Sequence, residues 1–109
     1  MKTAIEKLNK NGIFFDHDDV ARLCKKYRVI ELSVFGSSIR DDFDQGSDID
    51  ILVSFEENAE ITLFDIIELE REFSALLNRE VDVVEKESLK NHIRKNKILS
   101  MREIVYVAA

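Results

Sequence analysis

The residues with the most chemistry in them fall in one stretch: Gly36-Ser37, ten intervening residues, then Asp48-Ile49-Asp50. Side chains of a strand return to the same face every second residue, so Asp48 and Asp50 project together, with Cα atoms roughly 6.6 Å apart. Two carboxylates isolated on a half-buried strand repel each other unless cations or donors neutralise them. A hard cation answers that need. Mg²⁺ takes oxygen ligands and keeps waters and substrate phosphates in its shell, which suits an incompletely enclosed acidic pair. In two-metal phosphoryl chemistry the ions sit about 3.5–4 Å apart, one activating the attacking oxygen and one steadying the leaving group. A third carboxylate from a neighbouring strand is then wanted.

Asp82 meets that requirement, because it interrupts the otherwise apolar run Val81 to Val84 where a neutral residue would pack better. In the site it would be a metal ligand and a base for the acceptor hydroxyl; the alternative is a solvent-facing strand residue. Glu80 and Glu85 flank it at the strand's edge and end. Gly36 follows a strand and lets the backbone approach a phosphate, while Ser37 offers a hydroxyl and an exposed N–H, so the pair could hold β and γ phosphates. Alone, Gly-Ser is an ordinary turn dipeptide. Only the joined pattern is specific.

The elements that must position these residues can be read from period and punctuation. The chain has no proline, so boundaries come from glycine and capping residues. A short helix is expected over residues 3–10, stopping at Asn11-Gly12, and a stronger one from about Asp16 to Tyr27, with Asp16 as cap and Asp18 and Asp19 in the first turn. Ile30, Leu32 and Val34 alternate with Glu31 and Ser33 in a strand over 29–35. A second strand over 48–55 puts Ile49, Ile51, Val53 and Phe55 on one face and Asp48, Asp50, Leu52 and Ser54 on the other. Thr62 with Asp65 makes a capping pattern before Ile66, Leu69, Phe73 and Leu76 at helical spacing, with Glu68, Glu70, Arg71 and Glu72 facing out. Residues 81–84 form a third strand, 89–99 a basic helical segment, and 104–107 a tail of helix or strand. The order predicts a layered α/β (α+β) domain, a small mixed β-sheet flanked by helices, forming a single domain over 1–109. The hairpin-like join of the first two strands excludes a purely parallel sheet.

Composition narrows the partners. Hydrophobic residues make up 45% of the chain, enough for a real core, and the formal charge of -6 disfavours direct binding of nucleic acid. A single cysteine, Cys24, forms no intrachain disulfide, and its apolar neighbours Val20, Leu23 and Tyr27 point to core packing over reactivity. No long apolar stretch suggests a signal peptide or membrane span, so a cytoplasmic protein is expected. The acidic run from Asp42 to Asp50 is no calcium loop, since Gly46 and Val53 fall where that pattern needs oxygen donors. His17 and His92 lie far from any second ligand at zinc spacing and read as surface residues. The basic residues Lys86, Lys90, Arg94, Lys95 and Lys97 could steer a triphosphate or an acidic partner; a solvated helix face is the plainer reading.

The block from Leu32 to Phe55, LSVFGSSIRDDFDQGSDIDILVSF, resembles the signature of the minimal nucleotidyltransferases of the DNA polymerase beta superfamily: Gly-Ser, ten residues, Asp-x-Asp. VDVV around Asp82 resembles that family's third acidic strand, so the likeness covers nearly the whole chain. It implies the nucleotidyltransferase fold, two Mg²⁺ ions and ATP or another nucleoside triphosphate, with Asp48, Asp50 and Asp82 as metal ligands and Gly36 and Ser37 as phosphate binders. Arg40 matches a basic position of the block, for a phosphate or for holding the loop, and Ser47 precedes the acidic pair, for a phosphate or a turn. Asp41 departs from the small residue usual after that arginine. Small relatives commonly pair with a HEPN-domain toxin and transfer AMP to one of its tyrosines, so the resemblance implies an antitoxin with ATP as donor and a protein hydroxyl as acceptor. A non-catalytic antitoxin acting by contact, and transfer to a small molecule, are the alternatives. Homo-oligomerisation stays open.

Overall fold

A computed structural model describes residues 4–36, 46 and 48–108. Local signals start and stop its helices. The helix α1 (Ala4–Lys10) ends at Asn11-Gly12, where Gly12 takes φ 79° and Ile13 N–H returns to the Leu8 carbonyl at 2.9 Å, burying both side chains. Asp16 caps α2 (His17–Lys26) by accepting from the N–H groups of Asp18 and Asp19 at 2.9 and 3.2 Å, as expected. Val20, Leu23 and Cys24, at helical spacing, are its buried stripe. Thr62 and Asp65 form a reciprocal capping box on α3 (Leu63–Leu77), which ends at Asn78 in the left-handed region.

Four strands, β1 (Val29–Phe35), β2 (Ile49–Phe55), β3 (Val81–Glu85) and β4 (Glu103–Val107), form one sheet in the order β3-β2-β1-β4. β1 runs antiparallel to β2 and β4, and β2 parallel to β3 after the crossover through α3. This is the mixed sheet the sequence predicts, and the tail resolves as strand. On one face Leu32, Val34, Ile49, Ile51 and Val53 join Leu8, Val20, Leu69 and Phe73 in the main core under α1, α2 and α3. Burying a side chain of this kind contributes roughly 1.5–3 kcal/mol. Leu52 and Ile98 are also buried yet stand outside that cluster. The helix α4 (His92–Met101) therefore lies over the second face at the β1 side, where Lys97, Ile98 and Met101 share a cavity with Phe35.

Three expectations need correcting. Ile30 is 38% exposed, because a register shift between Val29 and Glu31 hands the core position to Val29. The basic helix begins at His92 and not at Leu89: a 3₁₀ turn (Lys86–Ser88) intervenes, and Asn91 caps the helix by accepting from Ile93 and Arg94 N–H. Glu70 and Glu72 do not simply face solvent. Glu70 accepts the Val83 N–H at 2.8 Å, and Ser74 Oγ accepts the Val81 N–H at 3.1 Å, so α3 closes the open edge of β3.

Candidate active site

The strand register aligns the acidic residues. Asp50 is the partner of Phe35 on one side and of Asp82 on the other, so Asp50 and Asp82 stand side by side on the second face of neighbouring parallel strands. Adjacent strands lie about 4.8 Å apart. Ile49 N–H donates to the Glu80 carbonyl at 2.9 Å, which locks this register at the strand starts. Asp48 sits just ahead of β2, exposed, on the same side as Asp50 by the two-residue period. Asp50 is half-buried and Asp82 is exposed on the edge strand.

Gly36 closes β1 with φ 75°, a conformation that side chains rarely adopt. A Cβ placed there would lie 2.5 Å from Asp50 Oδ2 and 3.4 Å from its Cγ. The glycine therefore makes room for the Asp50 carboxylate, beside the backbone approach to a phosphate expected of it from the sequence. Sequence reasoning assigned Gly36 only the second of these roles; the Asp50–Phe35 pairing, one residue away, is the signal that could have found the first. Ser37, Arg40, Asp41 and Ser47 lie outside the described residues.

Asp50 and Asp82 share a side of the sheet, with Asp48 two residues ahead of Asp50, and they do not close into a cage: among the described residues no three His, Cys, Asp or Glu side chains form a ready metal cluster. That donor set fits Mg²⁺, whose shell is completed by water and phosphate oxygens; it does not fit zinc, which prefers nitrogen and sulfur. The cradle at Gly36 fits too, since space that a Cβ would fill is left beside a carboxylate oxygen.

Farther along the same face, Arg102 pairs with Glu31 and approaches Ser33 Oγ at 3.4 Å, and Lys86 Nζ lies 3.8 Å from Glu31. This cluster, missed in the sequence, holds α4 and the start of β4 to β1; alternation of Glu31 and Ser33 with buried residues was its only trace. Cys24 is buried as expected, and burial pushes its thiol up to about 12, which leaves it inert. Both histidines are exposed. Among the described residues no helix is long and apolar enough to cross a membrane.

The mixed sheet sets two acidic strands side by side, with a glycine-ended strand next to them. Residues 20–106 match the nucleotidyltransferase domain family. The chain is 46% identical over 85 residues to the protein adenylyltransferase MntA of Thermococcus cleftensis, a stretch covering 78% of this chain and 81% of that one. A solved minimal nucleotidyltransferase is 29% identical and superposes with a TM-score of 0.66 over 92% of this chain and 94% of its own. A toxin–antitoxin structure with AMP-PNP shares the fold, at 18% identity and a TM-score of 0.70 over 86% of this chain and 75% of that one. This chain belongs to the nucleotidyltransferase domain family, and it is an enzyme, a nucleotidyltransferase. The family generally works with divalent metal ions.

Proposed function

We propose that the chain is an Mg²⁺-dependent protein adenylyltransferase that moves AMP from ATP to a tyrosine hydroxyl of a HEPN-domain toxin, and so serves as that toxin's antitoxin in the cytoplasm. The observation that carries this reading is the pairing of Asp50 with Asp82, with Gly36 at the end of the next strand giving room to the Asp50 carboxylate. Kinship with the Thermococcus protein adenylyltransferase supports the substrate class. A structure of the same fold, the MNT antitoxin with a tri-AMPylated HEPN toxin from Shewanella oneidensis, at 17% identity and a TM-score of 0.61, motivates the partner.

In this reading the single domain 1–109 holds two Mg²⁺ ions through Asp48, Asp50 and Asp82. When bound, the ions supply positive charge to the phosphate oxygens and help ionise the acceptor hydroxyl. Asp82 accepts the hydroxyl proton on a carboxylate oxygen as the acceptor oxygen bonds to the α-phosphorus. The Gly36 N–H and the Ser37 hydroxyl hold the β and γ phosphates while the α–β bridging P–O bond breaks and pyrophosphate departs with the electron pair. Arg40 and Ser47 contribute to the phosphate grip or to the loop that shapes it. The test is transfer of label to the HEPN partner: label from the α-phosphate of ATP should reach the toxin and label from the γ-phosphate should not. Transfer from the γ position would replace adenylylation with phosphorylation, and no transfer from either would end the proposal.

A further inference from the structure

The basic stretch of the sequence divides in the structure. Lys86 is spent on Glu31, whereas Lys97 lines a cavity of about 110 Å³ whose other walls, among the described residues, are Phe35, Gly36, Ile98 and Met101. Lys97 is exposed and forms no ion pair among the described residues. Its neighbour Ile98 is buried, which fixes α4 at this point and with it the root of the lysine side chain.

Gly36 belongs to both places: its backbone abuts the Asp50 carboxylate, and it forms part of the cavity wall. Across the second face the order is therefore Asp82 on β3, Asp50 on β2, Gly36 at the end of β1, and Lys97 on α4. In the transfer proposed above, the acceptor proton goes to Asp82 at one end of this row. Pyrophosphate must then leave toward the other, where Gly36 and Lys97 stand. We infer that Lys97 binds the β and γ phosphates of the donor from α4 and neutralises pyrophosphate as it departs, an inference that rests on the nucleotidyl-transfer reading. Charge grows on the leaving group as the bridging bond breaks, so a cation placed there favours the transition state over the bound substrate. In a chain of net charge -6 whose site already carries carboxylates, such a cation also offsets the repulsion a triphosphate meets on entry.

Lys97→Met keeps the length and apolar stem and removes the charge. Binding of a non-hydrolysable ATP analogue, pyrophosphate and AMP, each with Mg²⁺, is measured by calorimetry for the parent, Lys97→Met, Lys97→Arg and the control Lys90→Met. Loss of one charge-assisted contact should weaken the analogue and pyrophosphate roughly tenfold in Lys97→Met. AMP should bind as it does to the parent, Lys97→Arg should recover most of the loss, and Lys90→Met should match the parent. Lys97 is exposed, so melting curves should be unchanged; Lys97→Gln replaces the methionine form should that one misfold. Analogue binding equal to the parent's, or an equal loss for AMP and the analogue, overturns the role of Lys97. A parent that binds neither the analogue nor pyrophosphate overturns the nucleotidyl-transfer reading itself, and this inference with it.

Discussion

Gly36→Ala should damage activity far more than stability. The added Cβ would lie 2.5 Å from Asp50 Oδ2, so the carboxylate must retreat by about 1 Å to reach ordinary contact. The backbone cannot relieve the clash cheaply, since φ is already 75°, and holding an L side chain there costs about 1–2 kcal/mol. For a domain of this size that lowers Tm by roughly 4–8 °C per kcal/mol, which leaves a folded protein to assay. Displacing a reacting group by about 1 Å costs on the order of a hundredfold in rate. Thermal melts and transfer rates of Gly36→Ala, of Asp50→Ala and of the double variant separate the two effects. In the Asp50→Ala background the alanine at position 36 should retain its backbone cost and lose its clash, so the stability changes should not add. Parent-like activity in Gly36→Ala, or strictly additive stability changes, would refute the account of why this position is glycine.

Three further outcomes follow from the same geometry. Asp82→Asn, at an exposed position of the edge strand, should change stability by no more than about 0.5 kcal/mol yet abolish most transfer; full activity would return Asp82 to the role of a solvent-facing residue. Mg²⁺ with ATP at about a hundred times Kd should stabilise the fold by roughly 2.7 kcal/mol, and a chelator should remove the gain; equal shifts with and without metal would exclude a metal-bridged phosphate site. Hydrogen bonds from Tyr27 and then Lys26 hold the Glu72 carboxyl below its usual range, while burial and then the bond to Glu72 raise the Tyr27 hydroxyl. The Glu72 contribution is therefore present at neutral pH and lost as pH falls below about 4.3, and the Tyr27 contribution is lost as pH rises past about 10. The stability gap between the parent and Tyr27→Phe, by urea unfolding, should be flat between those limits and shrink outside both; a gap independent of pH would contradict the coupling.

What the sequence reveals best is what depends on near neighbours. Caps at Asp16 and Thr62 act within three residues, and the alternation of Ile49, Ile51 and Val53 with Asp48, Asp50 and Leu52 is a property of one strand, so both could be read directly. Asp82 stood out because it violates an apolar run, and the strand register sets it beside Asp50. Features made by distant partners were not legible. The bulge that exposes Ile30 depends on the pairing of β1 with β2. Glu70 looks outward by helical period and is drawn in by an unpaired N–H of β3, thirteen residues away. Likewise Arg102 shows no local pattern that would assign it to Glu31, seventy-one residues earlier.

The central claim is that Asp48 and Asp50 support chemistry and not merely contact. Replacing both by Asn keeps their size and removes two negative charges, so the fold should survive, and relief of repulsion should leave Tm unchanged or higher. The direct measurement is the ribonuclease activity of the HEPN partner after incubation with ATP, Mg²⁺ and either the parent or Asp48→Asn/Asp50→Asn, followed by removal of this chain. The account predicts that partner treated with the parent stays silent, whereas partner treated with the variant binds it, is released from it and regains full activity. Lasting silence after removal of the variant would contradict nucleotidyl transfer as the means of neutralisation.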